Sequence, residues 1–153
     1  MINIDVKIDT SRFDRMMSDL PGAMARAQKR ALEDIGTAVE SRATRAFKNP
    51  NLRPATWAPR KPSKHDDGHP LLIKHPRGGL WKSITHRLEG ADTVVVGSDK
   101  EYAGYHQTGT KHMPARPFFP VDANGRLVPE MERKIQRVAR KAYEDELKKL
   151  FGQ

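Results

Sequence analysis

The chain has 153 residues, which suits one domain with one real core. Hydrophobic residues make up only 37% and the mean hydropathy is −0.75, so that core is lean for its length and part of the chain is expected to lie outside it. The absence of cysteine excludes disulfides, thiolate metal sites and cysteine nucleophiles, while 28 Lys and Arg against 19 Asp and Glu leave +9, a charge that favours DNA, RNA, anionic lipid or an acidic protein surface.

The first residues alternate, with Ile2, Ile4, Val6 and Ile8 on one face of a predicted strand over 2–8. They carry neither the basic start nor the apolar stretch of a signal peptide, and no run reaches the roughly 18 apolar residues of a membrane span. Asp9, Thr10 and Ser11 offer N-cap side chains for a short helix over 11–19. Pro21-Gly22 is expected to break it. A long helix follows over 22–48, with Met24, Gln28, Ala31, Ile35, Val39, Ala43 and Phe47 on its core stripe and a charged outer face.

Residues 49–79 change character. They hold six of the eleven prolines and no periodicity, together with Arg53, Arg60, Lys61, Lys64, Lys74 and Arg77 against only Asp66 and Asp67. A structureless stretch of that length is normally functional or disordered, and proline lowers the entropy lost when it is ordered on a partner. Regular structure resumes after Gly78-Gly79. Leu80–Ile84 reads as a helical turn or the start of a strand. Thr93–Gly97 is a β-branched strand expected to pair with 84–88 across the turn at 89–92. A short aromatic run, Tyr102–Gln107, ends at Thr108-Gly109, and a last helix is predicted over 129–151. The element order implies a single α+β domain over 1–153: a small, mostly antiparallel sheet packed with a long N-terminal helix and a C-terminal helix, and a long Pro-rich basic loop.

Nothing in the sequence assembles a catalytic constellation. His65 and His69 are four apart, but Asp66, Asp67, Gly68 and Pro70 argue against the helix that would bring them onto one metal. No phosphate-cradling glycine motif and no nucleophile elbow is present. The paired carboxylates Glu33-Asp34 and Glu144-Asp145-Glu146 sit beside Lys and Arg, as solvated salt-bridge partners do. A non-enzymatic chain without a cofactor or metal is expected.

The stretch from Trp57 to Phe119 carries a resemblance. Trp57-Ala58-Pro59 is followed by Pro70-Leu71-Leu72 and Gly79-Leu80-Trp81-Lys82-Ser83-Ile84. Val95-Val96-Gly97, Tyr102-Ala103-Gly104-Tyr105-His106-Gln107-Thr108-Gly109 and Met113-Pro114-Ala115-Arg116-Pro117-Phe118 complete the ordered set. In this the chain resembles the phage virion morphogenesis family, the Mu-like tail-completion or neck proteins of tailed bacteriophages. The resemblance implies a structural subunit of the head–tail junction in the virion, made in the host bacterial cytoplasm. It would act as a ring of six or twelve copies between head-connector and tail-tube proteins, with no cofactor and no membrane partner.

On that reading Trp57, Leu71, Leu72, Trp81, Arg116 and Phe118 are the candidate subunit-interface residues. Exposed on an isolated chain, the apolar ones in or beside 50–80 would form a patch that demands a partner. Arg53, Arg60, Lys61, Lys64, Lys74 and Arg77 are the candidate DNA- or partner-facing set, either touching packaged DNA non-specifically in the channel or docking on acidic neighbouring rings. For Arg116–Pro120 local packing is the favoured reading over partner contact. The competing function class is a small basic nucleic-acid-binding protein, although no helix-turn-helix, zinc-finger or RNA-recognition signature is present.

Overall fold

The computed structural model describes residues 7, 9–61, 72–73 and 79–152. Apart from Lys7, the strand expected over 2–8 lies outside these residues. So do Leu71, Lys64, Lys74 and Arg77, together with His65 and His69. In chain order the elements are α1 (Ser11–Ala46), a 3-10 turn (Pro50–Leu52), α2 (Gly79–Lys82), β1 (Ile84–Glu89), β2 (Thr93–Ser98), α3 (Tyr102–Thr108) and α4 (Pro129–Phe151). The architecture is α+β, as expected, with one two-stranded antiparallel sheet.

α1 is a single helix of 36 residues, not two. Pro21 lies inside it and removes one backbone bond, the one Met17 would accept. Pro21 and Met17 are both on the exposed side, where water can take that bond, so the predicted break does not occur. The start is held by Asp9, whose carboxylate accepts from the Ser11 backbone N–H at 2.9 Å.

The buried line of α1 is made of small residues. Ala23, Ala27, Ala31, Ala38, Ala43 and Ala46 are buried, while the predicted Met24, Gln28, Ile35 and Val39 are only half-buried beside them. Small side chains let two backbones approach closely, and α4 lies along this line. Three ion pairs tie the helices, Arg26 to Glu146 at 3.2 Å, Arg30 to Asp145 at 3.2 Å and Arg42 to Glu130 at 3.0 Å. Their order, rising along α1 and falling along α4, makes the two helices antiparallel. α4 contributes Met131 and Ala142 to the buried seam.

The hairpin expected from 84–88 and 93–97 forms, with Ile84 opposite Ser98 through Glu89 opposite Thr93, and packs on α1. Gly36 makes this close approach possible. A Cβ there would stand 2.8 Å from His86 Cγ and 2.9 Å from Val94 Cγ2. His86 in turn meets Glu40 of α1 through its Nδ1 at 2.5 Å. The main core closes the C-terminal end of α1: Ala43, Ala46, Phe47, Trp57, Leu80, Ile84, Ala103 and Phe118 form one buried cluster. Leu80–Lys82 is therefore a helical turn feeding β1, and the aromatic run 102–108 is a helix that sets Ala103 into this core.

Two outcomes are expected of this packing. Gly36→Ala should destabilise the protein by about 1–3 kcal/mol through overpacking, despite the roughly 1 kcal/mol that alanine gains in helix propensity. Urea unfolding would read it, and a more stable variant would show that the hairpin can back away from α1. The second outcome concerns acid. Hydrogen bonds from Arg42, from Lys141 and from Lys149 with Arg26 hold the carboxyls of Glu130, Asp145 and Glu146 below their ordinary values. A depressed carboxylate stabilises the fold above its unfolded value and loses that contribution as pH falls through the folded one. Thermal midpoints followed from about pH 6 to about pH 3 should fall most steeply below about pH 4, and less steeply in Arg42→Met.

Candidate assembly surface

Three of the segments that carry the family resemblance meet at one place, and they meet through backbone groups. Trp57 is buried at 5% exposure and donates its indole N–H to the Pro117 carbonyl at 2.7 Å. Arg116 reaches back and donates to the carbonyls of Ala58 at 3.2 Å and Pro59 at 3.4 Å. The Arg116 N–H donates to the His106 carbonyl at 2.7 Å. Gln107 accepts from both Phe118 N–H and Phe119 N–H, at 3.0 and 3.1 Å, through the same side-chain oxygen. Gly109 ends α3 at φ +76°, with Ala115 N only 2.8 Å from where a Cβ would stand. Tyr105–Gly109, Trp57–Pro59 and Arg116–Phe119 are thus laced together. Phe118 fills the centre, its ring 5.0 Å from that of Phe47, and Phe47 meets Trp57 edge-on at 5.7 Å.

This corrects the expectation that Trp57 is exposed on an isolated chain. Its apolar area, like that of Phe118, is covered within the chain because the end of α1 supplies Phe47 as the partner surface. Arg116 is also buried, bonded to carbonyls as the local-packing reading requires. Leu72 and Trp81 are half-buried against the same cluster, and Lys48 and Lys82 lie over the Trp81 ring at 4.8 and 5.2 Å.

Arg53 is turned inward as well. Its guanidinium stacks 3.8 Å over Trp57 and donates to the Ala46 and Phe47 carbonyls at 2.8 and 3.1 Å. It satisfies the last carbonyls of α1, where the helix dipole also favours a cation. Arg53 is a capping residue here and does not face outward as the basic-loop reading had it. Lys61 is exposed, and Arg60 is half-buried and engaged. His106 Nδ1 is buried without a hydrogen-bond partner among the described residues, and desolvation, with Arg116 nearby, lowers the imidazole below its ordinary value. Among the described residues no group of His, Asp or Glu could hold a metal ion, and no helix is long and apolar enough to cross a membrane.

Among the described residues, the large apolar side chains that stay exposed lie elsewhere, in two groups. The antiparallel ion pairs place the end of α4 near Arg26, so the first turns of α1 run past it. Phe13 at 60% and Met17 at 47% exposure stand on this overhang, with Phe151 exposed at the end of α4. Phe13, Met17, Leu20 and Met24 repeat at helical spacing and continue the face that buries Ala27 and Ala31. Beside them Met16, Gly22 and Leu150 help line an open groove of about 520 Å³, rimmed by Arg12, Arg15 and Lys149. The second group is at the other end of α1: Tyr102 and Tyr105 on α3, with Tyr105 58% exposed, and Leu127 before α4.

Residues 8–142 match the model of the phage virion morphogenesis family. A Mu-like prophage protein of Haemophilus influenzae, FluMu G protein 1, is 36% identical over 66 residues, which is 42% of this chain and 45% of that protein. The match thus spans about half the length of that relative. No solved structure matches the chain. With the family model covering the long helix, the laced core and most of α4, this chain belongs to the phage virion morphogenesis family.

Proposed function

We propose that the chain is a structural subunit of the head–tail junction of a tailed bacteriophage. It closes head-to-tail into a ring between the head connector and the tail. Family membership supports the virion-morphogenesis role. The ring reading is carried by one observation: among the described residues, the large exposed apolar side chains fall into two different groups at opposite ends of α1. A two-fold dimer needs one self-complementary patch, whereas a ring joined head-to-tail needs two unlike patches, one on each side of the subunit. Phe13, Met17 and Phe151 form one; Tyr102, Tyr105 and Leu127 form the other. The laced core sets the distance and orientation between them, since α3 is pinned through Gln107 and the Arg116 backbone to the end of α1.

The expected assembly behaviour separates this reading from others. Phe13→Asp with Met17→Asp, and separately Tyr102→Asp with Tyr105→Asp, should each abolish ring formation while leaving the unfolding free energy of the subunit within about 1 kcal/mol of the parent, because the sites are exposed. Mixed together, the two double variants each retain one intact patch and should form dimers but nothing larger. Native mass spectrometry reads these species directly. A parent protein that stays monomeric at all concentrations, alone and with connector and tail proteins, would overturn the proposal. So would a symmetric dimer abolished by one double variant and untouched by the other.

A further inference from the structure

The positive charge is not spread evenly over α4. Its acids Glu130, Asp145 and Glu146 face α1 and are paired there with Arg42, Arg30 and Arg26. Between them, Arg133, Lys134, Arg137, Arg140 and Lys141 are all exposed, with no acidic residue in the interval. Arg133, Arg137 and Arg140 follow the i, i+4, i+7 spacing of one helix face, the face turned away from α1. Among the described residues these three and Lys134 have no hydrogen-bonded or ion-paired partner, and Lys141 meets only Asp145, one turn along. Glu132 and Glu144 bound the stripe. Glu130 draws some of the field of Arg133 and Lys134, but Arg42 already takes both its oxygens.

We propose that this outer face of α4 binds the sugar–phosphate backbone of double-stranded DNA without reading its sequence. The surface goes beyond the ring reading, because it is complete on one subunit. Its length, about 12 Å from Arg133 to Lys141, matches a stretch of duplex that carries about three to four phosphates on each strand. Arginine forks match phosphate oxygens two at a time. The composition of the face discriminates against an acidic protein. Protein interfaces are anchored by apolar and aromatic side chains. Here the exposed residues are the five cations and Gln136, while Ile135, Val138 and Ala139 are half-buried towards α1. The cations of the Pro-rich segment are the weaker choice, since Arg53 is bonded to carbonyls and Arg60 is engaged.

The test is fluorescence anisotropy of the full chain on a random-sequence duplex over a range of salt, with polyglutamate as competitor. Arg133→Gln, Arg137→Gln and Arg140→Gln together should weaken binding at least tenfold at low salt and reduce the slope of log K against log salt by about 2–3. A control triple, Lys7→Gln, Lys29→Gln and Lys111→Gln, removes the same charge from exposed sites elsewhere and should change both far less. Equal losses in the two triples would reduce the effect to net charge and overturn the proposal. So would a parent that ignores duplex DNA, or one from which polyglutamate displaces DNA at equal charge concentration. Because binding is read on the subunit, failure here leaves the ring reading standing, and failure to form a ring leaves this surface standing.

Discussion

Neither the hairpin nor α4 has enough apolar surface to stand by itself, and each lays what it has on α1. A two-stranded sheet alone is marginal in water, and α4 offers only Met131 and Ala142 as fully buried apolar side chains. Against alanines and a glycine, these small surfaces can come close enough to exclude water. Replacing the alanines of α1 with larger residues would add apolar area but hold α4 and the hairpin off, and the ion pairs along the seam would stretch. The long helix is therefore the spine of the molecule, and its narrow side chains are what let a lean composition fold.

The arginines complete what the apolar residues begin. Arg42 joins α1 to both the Leu52 carbonyl and Glu130, Arg53 closes the end of α1, and Arg116 draws the Trp57 segment onto the Phe118 turn. In each case a planar, permanently charged group meets backbone carbonyls in a region too irregular to satisfy them by secondary structure. An irregular segment rich in proline has acceptors in excess of donors, because each proline removes an N–H. Arginine restores the balance, and its bonds to carbonyls are charge-assisted. This explains why a chain of such basic composition keeps part of its charge inside.

That inward use is what the sequence could least express. The β-branched run at 93–97 bounded by glycines, its pairing with 84–88 and the periodic C-terminal helix were legible because each is a local pattern. The break at Pro21 was a local pattern too, and it misled, since the cost of one lost bond depends on whether the carbonyl it frees is solvated. The sequence stripe of α1 holds at Ala31, Ala43 and Phe47 but is one residue off elsewhere, because alanine gives a weak periodic signal beside Met24, Ile35 and Val39. Aperiodicity made 49–79 look like an arm, yet its first part, through Pro59, is held by Trp57 and Arg53 against a surface formed from residues far along the chain. The ordered motif from Trp57 to Phe118 is a sound guide to the family, and three of its side chains, Trp57, Arg116 and Phe118, are taken up by packing within the chain.

With Trp57, Arg116 and Phe118 in the interior, the exposed apolar and cationic groups of the described residues separate. The apolar ends of the subunit lie along the axis of α1, whereas the unpaired cations lie on the side of α4 that faces away from α1. A contact made end to end leaves that side open, so association through Phe13 and Tyr105 and contact with a polyanion through Arg137 compete for no residue. The same antiparallel seam that satisfies the acids of α4 also enforces the separation, since it turns Glu130, Asp145 and Glu146 towards α1 and leaves Arg133, Arg137 and Arg140 without an ion-paired partner among the described residues. Removing the charge of Arg42 would both weaken the docking of α4 and free the Glu130 carboxylate to offset Arg133 and Lys134. Stability and surface charge are coupled in this chain through the pairing of α1 with α4.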